Sequence, residues 1–206
     1  MSTIQNICVY CGSSLGSDPR FAEAADALGA AMALAGVGLV FGGGEDGLMG
    51  RLAHAVLDNG GRVTGIIPTF LIKREHALQA AQELIVVENM HQRKQLMFER
   101  ADAFIALPGG VGTLEELVEQ LTWAQLQRHA KPVLIADIGG FWRPLLSLIA
   151  HMRNLGFIRD GFDLHYLVAE KIEDALPMLD SACRTARRRT PPALAEGADA
   201  GPSAMA

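Results

Sequence analysis

The chain has 206 residues, half of them hydrophobic, and a formal net charge of −5. This length suits one well-filled core better than two independent domains, so we predict a single domain. The acidic balance lacks the basic footprint of a nucleic-acid-binding protein, and no apolar run is long enough to span a membrane. With three cysteines and no recognisable leader segment, a soluble cytoplasmic protein is expected.

Short apolar runs alternate with stretches of helical periodicity. The runs predict strands at 7–10, 37–41, 63–67, 84–87, 103–107 and 133–136. Helices are predicted at about 19–35, 48–59, 90–100, 114–128, 141–155 and 170–179. This alternation indicates an α/β fold, in which a doubly wound, Rossmann-like parallel sheet is sandwiched by helices.

The pattern ends at about residue 182. Beyond it come three consecutive arginines, two prolines and a segment rich in Ala and Gly, which offers too little apolar surface to order itself. We therefore predict one Rossmann-like domain over 1–181 and a disordered tail over 182–206.

Three loops rich in glycine or small polar residues follow predicted strands. Gly12 and Ser13 follow the first strand, Gly43 and Gly44 follow the second, and the segment 108–113 follows the fifth. Each loop alone could be a tight turn. Because ligands of doubly wound sheets bind beyond the carboxyl ends of the strands, three such loops together predict a binding site there.

The segment 108–116 reads PGGVGTLEE and precedes a predicted helix. Glycines let the backbone approach an anion closely, and the free N–H groups of a helix N-terminus then point at it. The segment matches neither the Walker loop nor the G-x-G-x-x-G fingerprint. The segment therefore predicts a phosphate-bearing ligand that is held in another way. The residues predicted to hold it are Gly109, Gly110, Val111, Gly112 and Thr113.

The same segment has a purely structural interpretation. Thr113 and Glu116 have the spacing of a capping box, in which a hydroxyl and a carboxylate satisfy free N–H groups of the helix. A carboxylate is also favoured there by the helix dipole. Considered alone, the motif favours this cap over a catalytic role for Glu116.

Two further segments carry candidate residues. Asn89 is a predicted helix N-cap with Gln92 as its partner, which places Arg93 and Lys94 early in the helix, where a cation is unfavourable unless an anion lies opposite. Solvated surface charges are the alternative, above all for Lys94. Glu75 follows the third strand and could instead pair in solvent with a neighbouring cation, at little energetic gain.

Metal binding is not expected. Cys8 and Cys11 have C-x-x-C spacing, yet they end a strand and no second pair completes a zinc site. The histidines outside the motifs lack the spacing of metal ligands. We predict neither a metal nor a cofactor.

Taken together, the motifs resemble the LOG ("lonely guy") family of cytokinin-activating nucleoside 5′-monophosphate phosphoribohydrolases, often mislabelled as lysine decarboxylases. The matching segments are GGG-x-x-GLMG at 42–50, MH-x-RK at 90–94 and PGG-x-GT-x-x-E at 108–116. The resemblance runs from about residue 7 to 179 and includes the CGSS segment at 11–14. It implies a Rossmann-like homodimer that cleaves N6-substituted adenosine 5′-monophosphates or AMP to the free base and ribose 5-phosphate.

The resemblance also implies roles for individual residues. Arg93 and Glu116 would form the catalytic pair, and the residues that bind substrate would be Glu75, Met90, Lys94, Gly12, Ser13, Gly43, Gly44 and 109–113. A carboxylate near C1′ can stabilise the developing oxocarbenium ion and activate water. The sequence does not identify the general acid for the leaving base.

Two alternatives stay open. A non-catalytic nucleotide or molybdenum-cofactor carrier of the same fold would use similar glycine loops, because fold alone does not determine function. A pyridoxal-phosphate-dependent lysine decarboxylase would need a Schiff-base lysine. Of the four lysines, only Lys94 lies in a motif, and the resemblance assigns it to substrate binding.

Overall fold

The computed structural model describes residues 4–159, 161 and 163–189. Its core is a seven-stranded parallel sheet in the order β4-β3-β2-β1-β5-β6-β7. The strands are β1 (Asn6–Tyr10), β2 (Gly38–Phe41), β3 (Val63–Pro68), β4 (Glu83–Val87), β5 (Ala103–Ala106), β6 (Val133–Ala136) and β7 (Leu167–Ala169). The predicted α/β class and parallel sheet are confirmed.

Helices cover both faces of the sheet. They are α1 (Pro19–Leu34), α2 (Gly47–Asp58), α3 (Met90–Arg100), α4 (Val111–Gln125), α5 (Arg143–Asn154) and α6 (Ala175–Arg189). None of the helices in the described ranges is both long and apolar enough to cross a membrane.

The alternation of side chains along β1 explains the two layers. Ile7 and Val9 point into one core with buried residues of α1, α2 and α6, whereas Cys8 and Tyr10 point into the other with residues of α3, α4 and α5. Both faces of the central strands are therefore buried, which accounts for their continuous apolar runs.

The strand order reverses direction between β1 and β5. From β1 the chain moves outward through β2, β3 and β4, and it then returns to the other side of β1 as β5. The loops after β1 and β5 meet there, where the Gly12 N–H donates to the Pro108 carbonyl at 3.1 Å. This reversal is the position at which open α/β sheets bind ligands.

The structure differs from the prediction in β7 and at the start of α4. β7 was not predicted, because three residues give almost no periodicity. Between β3 and β4, where no helix was predicted, the connection contains only a short 3-10 turn at Thr69–Leu71. α4 begins at Val111 instead of residue 114, a shift that changes the interpretation of the PGGVGTLEE segment.

The last helix extends beyond the predicted domain boundary. α6 continues to Arg189, and Cys183 is buried in the core shared with α1 and α2. Residues 182–189 are therefore helical, and the boundary predicted at 181 lies too early. The remainder of the predicted tail, 190–206, lies outside the described residues.

Candidate active site

A cavity of about 220 Å³ opens beyond the carboxyl ends of β1, β2 and β5. It collects residues from the loop after β1, the connection between β3 and β4, α3 and the start of α4. Among the residues predicted for the site, those that line it are Ser13, Glu75, Met90, Arg93, Gly110, Val111, Gly112, Thr113 and Glu116.

Arg93 reaches the cavity from the first turns of α3. Asn89 caps this helix, as predicted, by accepting from the Gln92 N–H at 3.0 Å, and the Gln92 side chain accepts from the Glu88 N–H at 3.0 Å. Arg93 is only 6% exposed. Its buried Nε has no hydrogen-bond partner among the described residues and so remains available to a ligand.

Gly42 holds the Arg93 guanidinium in place. Arg93 Nη2 donates to the Gly42 carbonyl at 3.1 Å, and a Cβ at position 42 would overlap that same nitrogen. The first glycine after β2 is therefore needed for the close approach of an arginine. Gly42 lines the cavity and was not selected as a site residue from the sequence.

Glu116 contributes a carboxyl group with an altered acidity. Burial raises the pKa of Glu116 from 4.5 to about 7, and the positive charge of Arg93 opposes this shift. Glu115 and Glu75 raise the pKa further, while Lys94 lowers it. A carboxyl group with a pKa near 7 can exchange a proton at neutral pH, as acid–base catalysis requires.

The capping-box interpretation of Thr113 and Glu116 is wrong. The N-cap of α4 is Gly110, and no side chain accepts a hydrogen bond at this cap. Thr113 is instead the third residue of the helix, 4% exposed, and its side chain fills the space that a Cβ on Gly109 would need. Glu116 thus lies in the second turn and has no capping function.

The start of α4 leaves backbone N–H groups free beside the cavity. The helix ladder begins with the Leu114 N–H, which donates to the Gly110 carbonyl at 3.0 Å. The N–H groups of Val111, Gly112 and Thr113 precede this bond, and helix geometry gives them no intrahelical acceptor. A phosphate placed there would meet these donors and the positive end of the helix dipole.

Glu75 comes from the irregular connection between β3 and β4. Its Oε2 is buried without a hydrogen-bond partner in the described part of the chain. The connection is fastened to the loop after β2, since the Glu45 N–H donates to the carbonyls of Glu75 and His76 at 3.1 and 2.9 Å. His76, at φ 45°, also lies 2.8 Å from the Asp46 carboxylate, which raises the pKa of His76.

Lys94 lies away from the cavity lining. Its Nζ donates to Glu115 Oε1 at 2.6 Å and to Glu119 Oε1 at 2.9 Å, so this lysine connects α3 to α4. The sequence prediction placed Lys94 on the substrate, whereas the structure places it between two helices.

Four predicted glycines also lie outside the cavity lining. Gly12 and Gly109 border an adjoining pocket of about 230 Å³ that shares Ser13 and Gly110 with the cavity. Gly43 and Gly44 support the site through packing: Gly43 adopts φ 79° against Ile67, and Gly44 forms a bridge with Ala77.

Several cavity residues were not predicted. Val9 and Tyr10 end β1 at the reversal of strand order and Cys11 follows them, and Met49, Met97 and Glu115 also line the cavity. The position of Tyr10 and Cys11 beyond a central strand was a usable signal, because this is where such sheets bind ligands. Met97 is a core residue by pattern and carried no signal, whereas Met49 belongs to the GLMG segment of the motif and was not selected.

The described lining of the cavity contains no lysine that could form a Schiff base. Lys94 is paired with two carboxylates, Lys131 lies 3.9 Å from the centre of the Phe98 ring, and Lys73 and Lys171 are exposed. None of the four lines the cavity. No group of three or more His, Cys, Asp or Glu residues in the described ranges is arranged to hold a metal ion.

Comparison with solved structures supports the fold. The molybdenum cofactor binding protein from Rippkaea orientalis superposes with a TM-score of 0.64 at 25% identity, over 86% of this chain and 96% of that chain. The molybdenum cofactor carrier protein from Chlamydomonas reinhardtii superposes with a TM-score of 0.65 at 19% identity, over 87% of this chain and 98% of that chain. At this identity the superposition shows a shared fold alone.

Comparison with sequences is more specific. A cytokinin riboside 5′-monophosphate phosphoribohydrolase from Rhodococcoides fascians is 44% identical over 180 residues, which cover 87% of this chain and 91% of the relative. The enzyme LOG from Oryza sativa subsp. japonica is 48% identical over 159 residues, 77% of this chain and 66% of the relative. The family model described as "Possible lysine decarboxylase" matches residues 49–179. The chain therefore belongs to this family, the LOG family to which its motifs pointed.

Proposed function

We propose that this protein hydrolyses the N-glycosidic bond of adenosine 5′-monophosphates, including N6-substituted ones, to the free base and ribose 5-phosphate. The observation that carries the proposal is one cavity with a buried arginine, a carboxyl group of raised pKa and a helix N-terminus. The names of the relatives, cytokinin riboside 5′-monophosphate phosphoribohydrolases, support the same reaction.

The phosphate binds at the start of α4. Free N–H groups of 111–113 donate to its oxygens, and the helix dipole adds favourable electrostatics. Because these donors belong to the backbone, binding needs no lysine at this position. The 5′-phosphate thereby fixes the distance between the ribose and Glu116, which lies on the same helix.

Glu116 acts on the anomeric carbon. Cleavage of the glycosidic bond gives C1′ oxocarbenium character, which the deprotonated carboxylate stabilises while it orients or activates the attacking water. Arg93 binds phosphate or ribose oxygens with its free Nε and keeps positive charge beside the carboxylate. Glu75, with its free Oε2, is a further contact to the substrate.

The carrier alternative explains less of this cavity. A protein that only binds an anionic ligand gains nothing from two carboxyl groups next to it, since like charges repel. Glu75 and Glu116 both line the cavity, and the negative charge of Glu75 raises the pKa of Glu116. Hydrolysis gives these groups a use, whereas binding alone does not.

We further propose that the protein is a cytoplasmic homodimer. α4 exposes two apolar side chains, Val111 at 83% and Val118 at 42%, and its C-cap residue Leu126 is 58% exposed. Val111 also lines the cavity, so a second copy packed on this helix would lie at the mouth of the site. Cys8 and Cys11 are buried free thiols, which fits a reducing compartment.

Product analysis tests the reaction. The protein is incubated with AMP, isopentenyl-AMP, adenosine and lysine, and the bases, ribose 5-phosphate and cadaverine are quantified. For each nucleotide we expect one equivalent of ribose 5-phosphate per equivalent of free base. Adenosine should be cleaved far more slowly because it lacks the phosphate. Bound but intact AMP would favour the carrier, and cadaverine would favour a decarboxylase.

A further inference from the structure

We propose that Lys94 is a positioning residue, which holds Arg93 opposite Glu116 by connecting α3 to α4 through Glu115 and Glu119. The inference rests on the proposed hydrolysis and departs from the role in substrate binding that the sequence motif implied for this lysine. Its structural basis is the three-residue ion cluster formed by Lys94, Glu115 and Glu119, called here the α3–α4 bridge.

The geometry of the bridge is well defined. Lys94 Nζ donates to Glu115 Oε1 at 2.6 Å and to Glu119 Oε1 at 2.9 Å. The side chains of Lys94 and Glu119 are 19% and 20% exposed, and that of Glu115 is 52% exposed. Glu115 and Glu119 lie one turn apart on the same face of α4, so one ammonium group spans both.

The bridge joins the neighbours of the catalytic pair. Lys94 follows Arg93 directly on α3, and Glu115 precedes Glu116 directly on α4. A shift of α3 relative to α4 would therefore change the separation of the Arg93 guanidinium from the Glu116 carboxyl. Among the residues described, no other salt bridge joins these two helices.

Partial burial makes this cluster more than a surface ion pair. Glu119 Oε2 is buried with no hydrogen-bond partner among the described residues, so loss of Lys94 would leave its carboxylate uncompensated. The carboxylates of Glu115 and Glu119, one turn apart on α4, would then repel each other. The energetic preference for the bridged arrangement is what fixes the spacing of the helices.

A direct role on the substrate fits the contacts poorly. The Lys94 ammonium already donates to two carboxylates, and Lys94 does not line the cavity. Moving it to a phosphate would break both bonds and expose the two carboxylates to each other. The backbone donors at the start of α4 supply the phosphate contact without that cost.

The test compares Lys94→Met, Glu119→Gln, the double variant and Lys94→Arg. A control, Arg100→Met, removes the other salt bridge of α3, between Arg100 and Glu83 at 2.9 Å, which does not reach α4. For each protein, kcat and KM for AMP are measured by ribose 5-phosphate release, Kd for AMP by calorimetry on the Glu116→Gln background, and folding by thermal melting.

We expect Lys94→Met and Glu119→Gln each to lower kcat by about 10- to 100-fold, with KM and Kd within about threefold of their reference values. A displacement of the Arg93 guanidinium by about 1 Å has an effect of this size on kcat. The double variant should be no slower than the slower single variant, because both remove the same bridge. Lys94→Arg should recover most of the lost kcat, and Arg100→Met should resemble the wild type.

The opposite pattern would overturn the inference. A tenfold or greater weakening of AMP binding by Lys94→Met, with Glu119→Gln unaffected, would make Lys94 a ligand of the nucleotide. Unchanged kcat in both single variants would remove any role for the bridge. If Lys94→Met does not fold, the kcat values of Glu119→Gln and Lys94→Arg test the inference instead. Absence of wild-type turnover would refute the proposed function instead, and Kd would still show whether Lys94 contacts the nucleotide.

Discussion

The substitution Glu116→Gln should abolish most catalysis and at the same time stabilise the folded protein above neutral pH. Desolvation in the cavity raises the pKa of Glu116 from 4.5 to about 7, so the folded state disfavours its charged form. The shift corresponds to a charging cost of up to about 3 kcal/mol. Glutamine keeps the shape of the neutral acid and avoids this cost.

The pH dependence of the stabilisation follows from the direction of the shift. An acid with a raised folded pKa contributes its full stability below the unfolded value of 4.5 and loses it as pH rises to about 7. Wild type and Glu116→Gln should therefore melt together near pH 4.5. At pH 8 the variant should melt at a higher temperature, by at most about 6 to 12 °C, given the usual conversion for a domain of this size.

The assay pairs thermal melts at pH 4.5 and pH 8 with the rate of ribose 5-phosphate release from AMP. Loss of an electrostatic stabiliser of the transition state should lower kcat about 100-fold or more. Glu23→Gln, on the exposed side of α1, serves as the control and should change neither quantity. Near wild-type turnover would refute the catalytic role of Glu116, and a lower melting temperature at pH 8 would refute the charging argument.

Four further predictions concern the same site and its surroundings. The kcat/KM for AMP should rise with pH through about 7 as Glu116 deprotonates, and a flat rate profile between pH 5 and 9 would contradict this role. Gly42→Ala should lower kcat by about 100-fold, because its Cβ overlaps the guanidinium of Arg93; equal turnover would show that the arginine can move freely. Glu75→Gln should raise KM or lower kcat while thermal melting stays within a few degrees of wild type, and the reverse outcome would make this residue structural. Leu126→Glu should shift the mass in light scattering toward about 22 kDa, and a persistent larger species would place the dimer contact elsewhere.

The sequence predicted the sheet and most helices because their signals are local. Continuous apolar runs identify buried parallel strands, and Asn89 with Gln92 identifies the start of α3. The start of α4 was missed because Gly110 caps it through an extended backbone without any side-chain hydrogen bond. A cap of that kind leaves no recognisable residue pattern.

The candidate site was predictable where motif residues share a direction in space. Arg93, Glu116 and Glu75 all reach one cavity. Lys94 does not, because consecutive residues of an α-helix point about 100° apart, and a motif of adjacent letters cannot show which of them turns inward. Contacts that depend on packing, such as the Gly42 carbonyl with Arg93, need the fold before they can be recognised.

The free N–H groups at the start of α4 have a consequence for how such proteins diversify. A phosphate site made of backbone N–H groups tolerates many side-chain replacements, provided that Gly109, whose missing Cβ leaves room for Thr113, remains. The groups that perform hydrolysis are, by contrast, a few side chains on neighbouring elements. Anion binding can therefore be kept while catalytic activity is gained or lost. One scaffold can thus bind a ligand in one lineage and catalyse a reaction in another.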